Sequence, residues 1–173
     1  ANLMKKIDVI IIGAGPSGLS AAINFKKLCK KNNKEFSVCV VEKGSEVGAH
    51  ILSGAILQPT ALDELFEDWR NSEDCPANKV PVKKESLKYL TSNKSYSIPN
   101  IFIPSAMHNK GNFIISLGSL CKWMAGEAEK LGVEIYPGFA ATEAIIDNNT
   151  LKGIVTGDLG ISKEGTPTEN HQP

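Results

Sequence analysis

The residues most readily given a chemical task are Gly13, Gly15 and Gly18, in the run Gly13-Ala14-Gly15-Pro16-Ser17-Gly18. Glycines at this interval suit the pyrophosphate of a dinucleotide. Gly13 permits a tight turn, Gly15 lets the backbone come within contact distance of the phosphates, and Gly18 lets a following helix pack close to the preceding strand. Backbone N–H groups at the start of that helix, with the positive end of its dipole, then receive the negative charge. Glu42 stands 24 residues beyond Gly18, near the spacing at which a carboxylate accepts hydrogen bonds from a ribose hydroxyl. Its charge would repel a 2′-phosphate, which argues against NADP. The pattern itself serves FAD and NAD alike, since both carry an ADP half.

Such a turn works only between a strand and a helix. Asp8-Val9-Ile10-Ile11-Ile12 is a short β-branched apolar run that predicts a strand buried on both faces of a parallel sheet. After the turn, Leu19, Ala22, Ile23 and Leu28 recur at helical spacing, and the loop from Asn32 to Glu35 ends the helix. A second apolar run from Phe36 to Val41 finishes on Glu42, completing a β-α-β unit over 7–42.

From Val47 to Leu62 no Asp, Glu, Lys or Arg occurs, a stretch too short to span a bilayer. Its glycines predict a loop, then a short helix from Thr60 to Trp69 with Thr60 as N-cap; 47–69 reads either as buried loop packing or as a loop-and-helix segment facing a cofactor or a membrane interface. Residues 71–112 read as an insertion, with a hairpin formed by 87–90 and 96–98. Leu117 to Leu131 carries Leu120, Trp123, Met124, Ala128 and Leu131 on one helical face and stops at Gly132. Val133-Glu134-Ile135-Tyr136 is then the expected third parallel strand, and 141–146 and 151–156 form an antiparallel meander about Asp147-Asn148-Asn149-Thr150. No further strand is expected after Gly160. The predicted fold class is α/β, a Rossmann-like β-α-β fold with a β meander, incomplete at its C-terminus as part of a longer polypeptide.

Composition excludes several classes. The 173 residues hold 19 basic and 19 acidic side chains, so the chain lacks the positive footprint of a nucleic-acid binder. No apolar stretch reaches the roughly 18 residues of a spanning helix, and no signal-peptide core is visible. Cys29, Cys39, Cys75 and Cys121 stand alone, without the close spacing of zinc or iron–sulfur ligands. His50, His108 and His171 share no ligand spacing either, and read as solvated or hydrogen-bonded imidazoles.

Residues 8–22 (DVIIIGAGPSGLSAA), 41–55 (VEKGSEVGAHILSGA), 108–123 (HNKGNFIISLGSLCKW) and 127–139 (EAEKLGVEIYPGF) closely resemble the electron transfer flavoprotein–ubiquinone oxidoreductase family. The likeness continues through 152–158 and 160–161, so it covers nearly the whole chain. The resemblance implies FAD as cofactor, with electrons taken from reduced electron transfer flavoprotein and passed through FAD and a 4Fe-4S cluster to ubiquinone. It implies that Gly13, Gly15, Pro16, Ser17 and Gly18 hold the pyrophosphate, Glu42 and Lys43 flank the adenosine, and Ser53 and Gly54 lie near the flavin. It also implies that 47–68 dips into a membrane, at the cytoplasmic or matrix face of an inner membrane. The family's cluster cysteines, quinone pocket and last FAD-binding strand would lie beyond residue 173. No side-chain acid or base in this segment is required for electron transfer, so no catalytic residue is assigned. The chain alone is expected to bind FAD weakly or not at all, and to be inactive. Alternative readings are a flavin-dependent hydroxylase or lipid reductase of the same fold, or a truncated binding module.

Overall fold

The computed structural model describes residues 4–157, together with the backbone of 159–161 and 167–172. In chain order its helices and strands are β1 (Val9–Ile12), α1 (Pro16–Lys31), β2 (Val38–Glu42), β3 (Ala55–Leu57), α2 (Thr60–Leu65), β4 (Leu87–Leu90), β5 (Ser95–Ile98), β6 (Phe113–Ile115), α3 (Leu117–Lys130), β7 (Glu134–Pro137), β8 (Ala141–Asp147), β9 (Thr150–Thr156), β10 (Leu159–Ile161) and β11 (Pro167–Gln172). They form two compact units, one comprising the chain up to Leu52 and from Leu117 onward, the other Ser53–Ser116.

In the first unit β1, β2 and β7 make a parallel sheet in that order, with Ile10 opposite Cys39 and Val40 opposite Ile135. The central strand is the buried one, since Val38, Cys39, Val40 and Val41 are all enclosed. Expectation fails for β1, whose Ile12 is 63% exposed. Among the described residues β1 is an edge strand of this sheet, and its residues Val9, Ile10 and Ile11 are only half-buried. Helix α1 buries Leu19, Ala22, Ile23 and Cys29. Cys29, seven residues past Ala22, takes the place predicted for Leu28, which turns outward. Helix α3 packs against α1 and buries Leu120, Cys121, Met124, Ala125 and Ala128; of the predicted face Leu120, Met124 and Ala128 are enclosed, whereas Trp123 and Leu131 are only half-buried.

Both helices stop by the same device. After α3, Gly132 has φ +86°, the Gly132 N–H reaches the Glu129 carbonyl at 2.9 Å and the Val133 N–H reaches the Ala128 carbonyl at 3.1 Å, which is a Schellman motif. After α1, Asn33 takes the left-handed position with φ 50°. The β8–β9 turn places Asn148 and Asn149 at φ 46° and 59°, as a two-residue hairpin loop of this twist requires. Strands β10 and β11 pair antiparallel, which corrects the expectation of no strand after Gly160. Residues 162–166 and Asp158 lie outside the described residues, as does the side chain of His171.

In the second unit β3 pairs with β6, placing Ile56 opposite Ile114, and β4 pairs with β5. Helix α2 ends at Leu65, short of the predicted Trp69, because Phe66 is extended at φ −136° and ψ 113°. The break lets the Trp69 indole N–H donate to Asp63 Oδ1 at 2.8 Å while Arg70 grips the same carboxylate at 2.9 Å. On a continuous helix, side chains meet three and four apart, not six and seven. Pro59, not Thr60, is the N-cap, and its carbonyl accepts the Asp63 N–H at 2.9 Å. Trp69 is buried edge-on against Phe113, and Arg70 lies 4.7 Å over the Trp69 ring.

At the entry to the sheet, Asp8 accepts hydrogen bonds from the Ser37 N–H and hydroxyl, each at 2.7 Å, and the Asp8 N–H returns one to Ser37 Oγ at 2.9 Å. The Ser37 backbone and hydroxyl bonds hold the Asp8 carboxyl below the usual carboxylate range. A carboxyl lowered in the folded state contributes stability above its unfolded value of about 3.9, and that contribution is lost as pH falls through the folded value. Asp8→Asn should therefore lower Tm at pH 7, with the difference from the parent shrinking below about pH 4. Thermal melts from pH 7 to pH 2 check this; a difference independent of pH would refute it.

Candidate cofactor site

Strand β1 runs into the glycine turn at the edge where the parallel strands end. Gly13 has φ +102°, and its N–H donates to the Val41 carbonyl at 2.8 Å, carrying the sheet pairing one residue past β1. The chain then enters α1 through Gly15 as N-cap and Pro16 in the first turn, where proline's missing N–H loses no helical bond. The turn is held tight by an absence of side chain. A Cβ built on Gly18 would lie 2.0 Å from the Gly13 carbonyl oxygen, whereas one on Gly15 meets nothing within 4 Å. Gly18 thus sets helix against strand, and Gly15 borders open space on the side from which a ligand would approach.

The first turn of α1 has no side-chain cap and no acidic residue. The Ser17 and Gly18 amides precede the first intrahelical bond, made by the Leu19 N–H to the Gly15 carbonyl at 3.0 Å. Within α1 itself, then, no acidic side chain offsets the donors and the positive end of the dipole.

Glu42 closes the other side. Its Oε2 accepts the Ala14 N–H at 2.9 Å and its Oε1 accepts the Gly44 N–H at 2.7 Å. The carboxylate on β2 thus fastens the glycine turn to the loop that follows its own strand. Each oxygen retains a further lone pair for another donor. Burial first, then the nearby Glu42 carboxylate, pushes the Cys121 thiol up to about 11, so it stays protonated and unreactive near neutral pH.

A cavity of about 290 Å³ adjoins this turn, lined by Ile12, Gly13, Val41, Glu42, Lys43, Phe139, Ala140 and Ala141. Apolar walls beside one carboxylate suit the adenosine end of a dinucleotide. Phe139 to Ala141 were not among the predicted site residues. The rule that ligands sit beyond the carboxyl ends of parallel strands points to the residues just after β7 and would have found them. Gly138, between β7 and this wall, donates its N–H to the Gly44 carbonyl at 2.7 Å, joining both sides of the cavity mouth.

Seven of the nine predicted residues, Gly13, Gly15, Pro16, Ser17, Gly18, Glu42 and Lys43, fall in the first unit around this turn. Ser53 and Gly54 belong to the second unit, exposed just before β3, with Gly54 at φ +86°. The open space at Gly15, the free α1 amides and the acid on β2 fit the ADP half of FAD. An iron–sulfur cluster does not fit this chain: among the described residues no group of three His, Cys, Asp or Glu side chains converges, and the cysteines are scattered over α1, β2, the second unit and α3. No helix among them is long and apolar enough to cross a membrane.

Comparison with known proteins agrees with this geometry. A family model described as an NAD(P)-binding Rossmann-like domain matches residues 11–67. The electron transfer flavoprotein–ubiquinone oxidoreductase of Pseudomonas aeruginosa is 57% identical over 168 residues, 96% of this chain and 30% of that protein. The mitochondrial enzyme of that name from Homo sapiens is 47% identical over 165 residues, 94% of this chain and 26% of that protein. The chain thus spans less than a third of the length of these relatives. Among solved structures, a geranylgeranyl bacteriochlorophyll reductase-like protein from Thermoplasma acidophilum superposes with TM-score 0.60 at 21% identity, covering 89% of this chain and 35% of that one. CtdE in complex with FAD gives TM-score 0.54 at 19% identity, covering 88% and 35%. At these identities the structures establish the fold alone.

The two glycines make opposite predictions. Gly18→Ala should destabilise the chain by about 3 kcal/mol through overpacking against backbone, while Gly15→Ala should cost less than about 1 kcal/mol. Urea unfolding of both variants checks this, and equal losses would contradict the assigned roles. Along nearly its whole length the chain is similar to the N-terminal part of the electron transfer flavoprotein–ubiquinone oxidoreductases, and its fold is Rossmann-like.

Proposed function

We propose that this chain is the FAD-cradling part of an oxidoreductase that accepts electrons from reduced electron transfer flavoprotein and delivers them to ubiquinone. The observation that carries the reading is the glycine turn with open space at Gly15 and the Glu42 carboxylate beside it, in a chain 57% identical to an enzyme of that name. Bound FAD supplies the electron-carrying ring, and the residues of this chain bind and orient it. The Ser17 and Gly18 amides and the α1 dipole neutralise pyrophosphate charge. Glu42 keeps the turn in place and accepts from a ribose hydroxyl with its remaining lone pairs, while Lys43 and the wall from Phe139 to Ala141 flank the adenosine. The family resemblance assigns Ser53 and Gly54 to the flavin end, where small residues would allow close contact. The iron–sulfur cluster of this reading is held outside the 173 residues, and no electron step within this chain passes through it.

The same reading makes the protein peripheral to an inner membrane, with contact through 47–68. Leu52 and Ile56 in that segment are 87% and 51% exposed, and no charged side chain occurs from Val47 to Leu62. The mitochondrial names of the human and rice relatives support an inner-membrane location, at its cytoplasmic or matrix face, for proteins of this kind.

Flavin fluorescence titration tests the central part. FAD should be quenched weakly but saturably by the chain, ADP should compete, and Gly15→Ala should weaken binding about tenfold or more by filling the space meant for phosphate. A folded chain that quenches no flavin, or from which ADP cannot displace it, would contradict the reading.

A further inference from the structure

The second unit divides its charge sharply along the chain. Residues 53–78 hold six acids, Asp63, Glu64, Glu67, Asp68, Glu73 and Asp74, against Arg70. Residues 79–116 hold six lysines, Lys79, Lys83, Lys84, Lys88, Lys94 and Lys110, against Glu85 alone. That acid is already engaged, since it accepts the Asn109 N–H at 2.7 Å and faces His108 Nδ1 at 2.8 Å. All six lysines are exposed.

The same segment exposes large apolar side chains. In the β4–β5 hairpin Tyr89 stands opposite Tyr96, and they are 63% and 54% exposed. Leu90, next to Tyr89 and so on the other face, is 70% exposed. The hairpin end is therefore bare on both faces, although a two-stranded ribbon is marginal in water without cover. Ile101 and Phe102 follow three and four residues after β5 and are 87% and 75% exposed. Tyrosines and aliphatic tips beside lysines whose stems lie along apolar surface are what a lipid interface accommodates.

We propose that residues 79–116 form a docking face for an anionic phospholipid surface, with the hairpin and Ile101–Phe102 entering the interface and the lysines contacting headgroup phosphates. Charge selects this occupant. A neutral bilayer would satisfy the apolar side chains and leave five net positive charges without partners, whereas anionic headgroups answer both. The proposal rests on the membrane-peripheral reading above and adds 79–116 to the contact through 47–68.

Vesicle flotation of the 173-residue chain tests it, with phosphatidylcholine alone against phosphatidylcholine containing phosphatidylglycerol. The chain should partition onto the anionic vesicles at least about tenfold more strongly, with the preference falling as salt rises. Lys88→Glu with Lys94→Glu should remove at least about tenfold of that binding. Lys30→Glu with Lys34→Glu, the same charge change in the first unit, should leave it within about twofold, and circular dichroism verifies that both pairs fold. Equal binding to both vesicles would overturn the headgroup selectivity and leave the membrane reading standing. Binding to neither would overturn both. Self-association of the chain abolished by Leu90→Asp, without vesicle binding, would assign the face to a second copy instead. Flavin titration of the same preparations reports separately on the cofactor reading.

Discussion

The first unit depends on a contact that only a hydrogen atom can occupy. At Gly18 the helix comes so close to the turn that a methyl group would meet the Gly13 carbonyl oxygen at 2.0 Å. This approach lets α1 start directly above the end of β1, so that its free amides open at the edge of the parallel sheet. The buried stripe of α1 and the enclosed strand β2 hold helix and sheet at that distance. Close packing and ligand geometry are thus one constraint, and loosening the first would displace the second.

Glu42 makes the second demand. A carboxylate that receives two backbone N–H groups forms charge-assisted bonds, stronger than neutral ones. These bonds lock the turn from the side opposite α1, so the amides that would face phosphate are arranged before any ligand arrives. Pre-organisation of this kind lowers the ordering cost of binding. It also makes Glu42 hard to interpret by deletion, because its removal would release Ala14 and Gly44 as well as any ribose contact.

Sequence reasoning reached the β-α-β unit because three independent signals coincide there: a β-branched run, glycines at fixed spacing and a helical stripe. It reached the β8–β9 turn because consecutive asparagines accept positive φ. It missed β3 and β6, which are three residues each and pair across 55 intervening positions or more, so no local periodicity marks them. It overran α2 because the apolar spacing to Trp69 reads as helix, whereas the grip of Asp63 on Trp69 and Arg70 is a tertiary contact that outweighs propensity. The latching bonds of Glu42 left no sequence signal beyond the spacing of the acid itself. Phe139 to Ala141 were recoverable only from topology, through the strand order that places the end of β7 beside β2.

The central claim is that a pre-formed cradle at the end of β1 receives the ADP half of FAD. The most direct measurement is a map of backbone amide chemical shifts in ¹⁵N-labelled chain on addition of FAD and, separately, of ADP. The account predicts that both ligands move the amides of Ala14, Gly15, Ser17 and Gly18, together with those of Lys43, Ala140 and Ala141, and leave β4 and β5 unmoved. Shifts centred away from the glycine turn, or shifts with FAD that ADP does not reproduce at these amides, would contradict it.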